Sequence, residues 1–190
     1  MSLIMTGSRD QALLATVVRE AHASVTKSGG YVGRTALQKI MYFLQVSGIP
    51  MNYRFDIYHY GPFCEEILRD IDWLTADQVV IDRSDNPQRY SNYAPGENSD
   101  ELIQMHQSFL APLRNKIDAL VRAFIPLKPR TMELIATLDY LYRQQKATTS
   151  SGPWKPSVIS RFDQVKAGKF LPEEINEAYD GMVRMGLIEA

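Results

Sequence analysis

The sequence predicts a mainly α-helical protein with a small antiparallel sheet, arranged as a winged-helix-like core with a helical C-terminal extension. Apolar residues recur at helical spacing along most of the 190 residues. After Met51 the apolar period changes to two, and turn residues separate two further short apolar runs, which predicts strands. We expect the core to span residues 1–125 and the extension 126–190, packed together as one domain.

Two helices are expected before residue 50. Ser8 and Gln11 have the spacing of a capping box, and Thr35 and Gln38 repeat it at the start of a second helix. The second helix carries an apolar stripe that consists of Leu37, Ile40, Met41 and Leu44. Two short helices joined by a glycine-containing turn predict equally a helix-turn-helix or an ordinary helical hairpin.

A strand and a sharp corner are expected next. Apolar and polar residues alternate over residues 51–60, which is typical of a half-buried strand. Gly61 is expected to adopt a backbone conformation that is unfavourable for other residues. Pro62 is expected at the first position of the following helix, where a backbone N–H would have no partner within the helix and its absence costs no hydrogen bond. Cys64 would then lie in the first turn as a buried structural thiol.

Residues 79–82 and 89–93 predict a β-hairpin, because the residues between them include Ser84-Asp85-Asn86-Pro87, a turn sequence. With residues 51–60 they would form the small antiparallel sheet. A helix pair followed by a helix and a hairpin is the order of elements in a winged helix, and this hairpin would be the wing.

Helices fill the remainder of the expected structure. Apolar residues and one histidine recur every three or four positions between residues 102 and 124, and Pro112 is expected to kink or split the helix that they predict. Further helices are expected around residues 134–142, 156–166 and 172–185. Gly186 is expected to cap the last of them.

The composition and charge of the sequence limit the functions that it favours. The formal charge is −1, so the chain as a whole has no strong attraction for nucleic acid. Residues 128–169 hold eight Lys/Arg against three Asp/Glu, which predicts either a local basic surface or an ordinary solvated face. Cys64 is the single cysteine, which fits a reducing cytoplasm. No apolar run approaches the roughly 20 residues that a membrane span needs.

The sequence predicts no catalytic residues, no metal site and no cofactor. Its three histidines lie far apart, and none pairs with Cys64 or an acid at the spacing of metal ligands. The glycine-rich phosphate-binding motifs and the G-x-S-x-G nucleophile elbow are absent from the sequence. An enzyme is therefore less favoured than a binding module.

A nucleic-acid interface is one hypothesis that the residues themselves suggest. Its candidates are Arg34, Gln38 and Lys39 near the second helix, with Arg83 and Arg89 in the hairpin. Arginine and glutamine can read base edges, and basic residues on a wing can hold phosphates. Asp82 and Asp85 in the same hairpin oppose this interpretation, and a solvated surface is the alternative.

Two segments resemble a known family. Leu37-Gln38-Lys39-Ile40-Met41-Tyr42-Phe43-Leu44 and Tyr58-His59-Tyr60-Gly61-Pro62-Phe63 are similar to the pattern of the YwgA-type proteins, distant relatives of the SocA-like Panacea antitoxin domains. The likeness covers about residues 31–93, a third of the chain. It implies a cytoplasmic, mostly helical protein with a winged-helix-like core. Cys64 stands where those relatives usually have serine. The corner His59-Tyr60-Gly61-Pro62 is the candidate family site.

The expected function is a non-catalytic protein-binding module, either antitoxin-like or a regulatory adaptor. In the antitoxin branch of the family the partner is a toxin protein, so the resemblance implies a protein partner, with a toxin as one case. The alternative is a winged-helix DNA-binding transcriptional regulator. The expectation that this chain binds a toxin rests on analogy at the level of the fold.

Overall fold

The computed structural model describes residues 7–28, 30–149 and 151–190, except for the side chains of residues 27 and 28. It is mainly helical and contains two antiparallel sheets of two strands each, which confirms the prediction of a mainly α-helical protein with little antiparallel sheet. The chain forms two compact units. The first contains residues up to 55 and 64–127, and the second contains residues 56–63 and 128–190. Residues 56–63, which were expected in the core, therefore belong to the second unit.

The first unit is built on a long buried helix. Its elements are α1 (Arg9–Ser28), α2 (Arg34–Val46), α3 (Glu65–Ala76), β3 (Val80–Asp82), β4 (Tyr93–Pro95), α4 (Ser99–Met105), α5 (Gln107–Leu110), a 3₁₀ turn (Ala111–Leu113) and α6 (Arg114–Phe124). The apolar face of α1 packs against α4, α6 and β4. Leu13, Leu14, Val17 and Val18 are fully buried there, as their helical spacing requires.

The two predicted capping boxes have different outcomes. At α1 the Ser8 Oγ accepts the Gln11 N–H at 3.1 Å, and the Gln11 Oε1 accepts the Ser8 N–H at 3.0 Å, which confirms the first box. The Thr35–Gln38 box is wrong. Gly33 is the N-cap of α2 and supplies no side chain. Gln38 instead makes two hydrogen bonds to the backbone of Cys64, one from each end of its amide, at 2.8 and 2.9 Å.

The hairpin of the first unit is present with a shifted second strand. β3 and β4 pair in antiparallel register, with Val80 opposite Pro95 and Asp82 opposite Tyr93. Residues 89–92 are not in the strand, because the Asn86 carbonyl accepts the N–H groups of Arg89 and Tyr90 and closes a turn. Within the described residues this hairpin does not pair with residues 51–60, so the single predicted sheet is two separate sheets.

The helix predicted over residues 102–124 is divided, as Pro112 suggested. α4 ends at Met105 and His106 separates it from α5. Pro112 lies inside the 3₁₀ turn that precedes α6. A proline in a helix interior removes one backbone bond, so a change of helix type at this point is the expected response.

The second unit packs a hairpin and three helices. Its elements are β1 (Asp56–Tyr58), β2 (Gly61–Phe63), α7 (Pro129–Thr148), α8 (Lys155–Lys166) and α9 (Pro172–Arg184). α8 and α9 pack on α7, and β2 packs on α7 as well. The buried core includes Leu138, Phe162 and Tyr179. Gly186 follows α9 with a φ of +68°, which confirms its predicted role at the helix end.

Pro62 does not begin a helix, which corrects the sequence prediction. Gly61-Pro62-Phe63 is strand β2, paired with Phe63 opposite Asp56 and Pro62 opposite Ile57. Proline is tolerated in this edge position because a two-stranded sheet leaves one side of each strand unpaired. Cys64 has extended backbone geometry, and α3 begins at Glu65. The strand expected over residues 51–60 is limited to Asp56–Tyr58, the length of its partner.

Gly96, just after β4, is required by a close backbone approach. A Cβ atom at this position would lie 2.1 Å from the Gln78 carbonyl oxygen, far inside van der Waals contact. The backbone of Gln78 has a φ of +55°, which is itself unfavourable for a residue with a side chain. The strand ends are therefore held in a position that only glycine at residue 96 permits.

We predict that Gly96→Ala lowers the free energy of unfolding of the protein by about 1–3 kcal/mol, the usual cost of forcing extra atoms into a packed site. Urea unfolding followed by circular dichroism measures it. Gly7→Ala is the matched control, because a Cβ there meets no atom within 4 Å. Equal unfolding midpoints for Gly96→Ala and wild type would show that the backbone relaxes at no cost.

Candidate functional site: an aromatic corner beside a buried ion pair

The family corner lies at the turn of the β1–β2 hairpin. Tyr58 pairs with Gly61, so His59 and Tyr60 form a two-residue turn between the strands. Gly61 has a φ of +88°, which confirms the backbone conformation that was predicted for it. This sharp reversal places three consecutive aromatic residues, Tyr58, His59 and Tyr60, at the tip of the hairpin.

The side chains of the corner are exposed to solvent. Tyr58 is 58% exposed and Tyr60 is 61% exposed, and His59 is exposed as well. The Tyr58 ring centroid is 4.5 Å from that of His59 and 5.5 Å from that of Phe63. The Tyr58 ring thus meets the His59 ring edge to face and lies tilted against the Phe63 ring, while much of its surface remains exposed. Large aromatic side chains exposed on a well-defined backbone are typical of protein contact surfaces.

A buried ion pair supports the corner from within the second unit. The Lys166 Nζ, at the end of α8, lies 2.9 Å from the Glu133 Oε1 on α7, and both side chains are 3% exposed. The same ammonium group donates a hydrogen bond of 2.8 Å to the His59 carbonyl oxygen. Its distance to the Tyr58 carbonyl oxygen is 3.4 Å. One cation therefore connects the corner backbone to two helices.

Lys169 adds a second cation at the rim. Its Nζ lies 2.7 and 2.8 Å from the two carboxylate oxygens of Glu133 and 4.7 Å from the centroid of the Tyr60 ring. Ala167 and Gly168, between the two lysines, have φ values of +41° and +75°, so the chain turns sharply after α8. This turn directs both lysines at the same carboxylate. The cation–π contact fixes the position of the exposed Tyr60 ring.

The energetic balance of this cluster explains its geometry. Burial lowers the pKa of Lys166, while its hydrogen bond to Glu133 and the charge of that carboxylate act in the opposite direction. Removing two charges from water costs several kcal/mol per ion, and good geometry with full hydrogen bonding offsets that cost. The corner carbonyls supply the remaining acceptors for Lys166. The orientation of the corner and the stability of the ion pair therefore depend on each other.

The ring of His59 has no polar partner of the kind that orients a catalytic histidine, among the residues that the structure describes. In the part of the chain that the structure describes, the His59 ring makes no hydrogen bond to a carboxylate or to a nucleophile. A general base needs such a partner to be oriented. Across residues 7–28, 30–149 and 151–190, no three His, Cys, Asp or Glu side chains are grouped so as to hold a metal ion. What the corner presents is aromatic surface with polar tips, which suits binding.

Cys64, between β2 and α3, is a thiol of low reactivity. Burial raises the pKa of the Cys64 thiol to about 11, with a further contribution from its hydrogen bond to Glu66. The residue is 1% exposed, as predicted for a structural thiol. A thiol with a raised pKa is a poor nucleophile at neutral pH.

A cleft in the first unit has a volume of about 320 Å³ and is lined in part by Asp70 and Tyr53. The Tyr53 hydroxyl donates to the Asp70 Oδ2 at 2.7 Å, and the Gln11 amide donates to the Asp70 Oδ1 at 2.9 Å. Burial raises the pKa of Tyr53, and the bond to Asp70 raises it further. Both carboxylate oxygens of Asp70 therefore accept hydrogen bonds from neighbouring side chains that hold the fold together.

The five nucleic-acid candidates occupy different environments. Gln38 is 3% exposed and Lys39 is 2% exposed, so neither side chain presents its polar end at the surface. Arg34 donates hydrogen bonds of 2.8 Å to the Ser91 Oγ and to the Pro87 carbonyl oxygen, and so it contacts the loop between β3 and β4. Arg83 and Arg89 are exposed in that loop. The structure thus brings Arg34 to the hairpin and leaves Gln38 and Lys39 in the interior.

Sequence reasoning missed the residues that support the corner. Glu133, Lys166 and Lys169 belong to no recognisable motif, and Glu133 lies 33 residues before Lys166 in the chain. The single available signal was the excess of basic residues over 128–169, which contains both lysines. That excess suggested a basic surface, whereas Lys166 is buried against a carboxylate.

Comparisons with known proteins add no assignment. No family model matches the sequence, and no curated protein matches it significantly. The YwgA-type resemblance therefore stays a prediction. In the described part of the chain, no helix is both long enough and apolar enough to cross a membrane.

We predict that Lys166→Met destabilises the protein by about 3 kcal/mol, because it leaves Glu133 buried with one cation fewer and removes the donor to the corner. The measurement is urea unfolding followed by circular dichroism. Lys155→Met is the matched control, since the Lys155–Asp180 ion pair is in the same unit but its side chains are 31% and 49% exposed. That control is expected to lose less than about 1 kcal/mol. Equal losses in the two variants would contradict the role assigned to the buried pair.

Proposed function

We propose that this chain is a non-catalytic protein-binding module and that the aromatic corner of Tyr58, His59 and Tyr60 is part of its contact surface. The observation that carries the proposal is the exposure of two tyrosine rings, 58% and 61%, on a hairpin whose backbone is held by a buried cation. Tyrosine is enriched among the residues that contribute most to protein interfaces. A surface fixed before binding loses little conformational entropy when the partner binds.

The family resemblance bears on the kind of partner. Through the antitoxin branch it favours an antitoxin-like module or a regulatory adaptor, with a toxin protein as one possible class of partner. This step is an analogy at the level of the fold, whereas the corner itself is an argument from geometry. We further propose that the protein acts in the reducing cytoplasm, since its single cysteine is buried and free of any disulfide.

A winged-helix DNA-binding regulator is the alternative function. Its support is the order of α1, α2, α3 and the β3–β4 hairpin in the first unit, together with the exposed arginines of the hairpin loop. Against it, the burial of Gln38 and Lys39 removes two of the side chains that would read base edges from α2. Duplex binding that weakens as salt concentration rises would favour this alternative.

The experiment for the leading proposal is affinity purification from the native host, followed by quantitative binding with the purified partner. We expect the double variant Tyr58→Ala/Tyr60→Ala to weaken binding by roughly 30-fold or more, because each truncation removes an aromatic contact of about 1–2 kcal/mol. Trp73→Ala is the control, because its side chain is 54% exposed on α3, away from the hairpin in sequence and in the other unit.

Two outcomes would overturn this proposal. One is a partner that binds Tyr58→Ala/Tyr60→Ala as tightly as it binds wild type, with that variant shown to be folded. The other is recovery of no reproducible partner together with a robust catalytic activity of the pure protein.

A further inference from the structure

The loop between β3 and β4, in the first unit, carries an exposed group of arginines and tyrosines that the proposed function does not use. Arg83, Arg89 and Tyr90 are exposed in the loop, and Tyr31 is exposed beside it. Among the residues that the structure describes, the guanidinium groups of Arg83 and Arg89 make no hydrogen bond or ion pair. We call Tyr31, Arg83, Arg89 and Tyr90 the loop face.

The backbone of the loop is held in place by polar contacts. The Asp82 Oδ1 accepts the N–H groups of Ser84 at 3.0 Å and Asn92 at 2.9 Å. Arg34, at the start of α2, donates to the carbonyl oxygen of Pro87 near the middle of the loop at 2.8 Å. The arginines of the loop face thus project from a defined turn.

The neighbouring carboxylates of Asp82 and Asp85 do not engage the arginines of the loop face. The Asp82 carboxylate is half-buried and directed at backbone N–H groups, so it does not pair with either free arginine. Asp85 is exposed, and its Oδ2 lies 3.5 Å from the Tyr90 hydroxyl. The guanidinium groups of Arg83 and Arg89 therefore remain available, and a planar guanidinium matches the geometry of a phosphate.

The tyrosines of the loop face supply aromatic surface next to this charge. Tyr31 is 55% exposed and Tyr90 is 41% exposed. Their ring centroids are 6.1 Å apart at an interplanar angle of 60°, so the two rings meet edge to face. An unpaired base can stack on such a ring, whereas a base inside a duplex is already stacked on its neighbours.

We propose that the loop face binds single-stranded nucleic acid, with Arg83 and Arg89 at phosphates and a base stacked on Tyr90 or Tyr31. A single strand fits better than a duplex, because Gln38 and Lys39, which would read base edges from α2, are buried. This inference goes beyond the proposed function and is independent of it, since the aromatic corner lies in the other unit. The chemistry is shared by DNA and RNA strands.

The test is fluorescence anisotropy with labelled 20-nucleotide strands of dT and of U, each measured from low to physiological salt. Two phosphate contacts on a single strand predict a slope of about −1.4 for log K against log salt concentration. Arg83→Ala/Arg89→Ala should weaken binding at least tenfold at low salt and flatten that slope towards zero. Tyr90→Ala should weaken it about fivefold, while Tyr90→Phe, which keeps the ring, should bind as wild type does.

Arg114→Ala/Arg122→Ala is the matched control, because it removes the same charge from two exposed positions on α6. A change of less than twofold in this control, with the loss in Arg83→Ala/Arg89→Ala, supports the loop face. Binding of both strands indicates contacts to base and phosphate, and binding of U alone or dT alone indicates that the sugar or the thymine methyl group is distinguished.

Three results would overturn the inference. The first is no binding of either strand at the lowest salt. The second is an equal loss in the two double variants, which would mean a general attraction to positive charge. The third is a result with two parts: a duplex or a poly-glutamate peptide binds as tightly as the single strands, and Tyr90→Ala does not change the affinity.

Discussion

The buried contact between Glu133 and Lys166 is the interaction on which the candidate binding surface depends. It joins α7 to the end of α8, and its ammonium group also donates to the His59 carbonyl oxygen. A carboxylate and an ammonium that are each 3% exposed have lost most of their hydration, so each needs the other and needs every remaining hydrogen bond. The carbonyl groups of the hairpin turn provide those bonds. The hairpin tip is consequently positioned by electrostatics as well as by its own strand pairing.

Exposed aromatic rings alone do not make a binding surface, and the order of the backbone beneath them decides how much entropy is lost on binding. At the corner, Gly61 allows the sharp reversal, Lys166 holds the carbonyl side and Lys169 contacts the Tyr60 ring. Two contacts and the backbone conformation of Gly61 therefore restrict a turn of two residues. The loop face of the first unit follows the same principle, with Asp82 and Arg34 fixing a turn from which unpaired arginines project.

Much of the fold could be predicted from the sequence because local patterns determine it. The Ser8–Gln11 capping box, the division of a long helix at Pro112 and the positive φ of Gly61 each follow from residues that are close together in the chain. Pro62 was assigned to the wrong element. A proline can begin a helix or lie in an edge strand, and only the pairing of β2 with β1 distinguishes the two.

The support of the candidate site could not be predicted, for a related physical reason. Gln38 has the spacing of a capping residue, yet its amide pairs with the Cys64 backbone, 26 residues away. Glu133 and Lys166 likewise meet only when two helices pack. No local pattern marks a buried charge pair, because its partners are chosen by the tertiary structure. The corner residues His59, Tyr60, Gly61 and Pro62 were found through a family resemblance. The residues that support them are brought together only by the packing of the helices.

A double-mutant cycle between Glu133 and Lys166 tests most directly whether the two side chains form a coupled buried pair, the interaction that supports the corner. The free energies of unfolding of Glu133→Gln, Lys166→Met and the double variant would be compared with wild type by urea denaturation. We expect a coupling free energy of about 1.5–3 kcal/mol, since Glu133→Gln leaves Lys166 buried without its counter-charge and Lys166→Met leaves Glu133 with Lys169 alone. If the losses of unfolding free energy in the two single variants add up to that of the double variant within about 0.5 kcal/mol, the two side chains contribute independently. That result would contradict an energetically coupled pair.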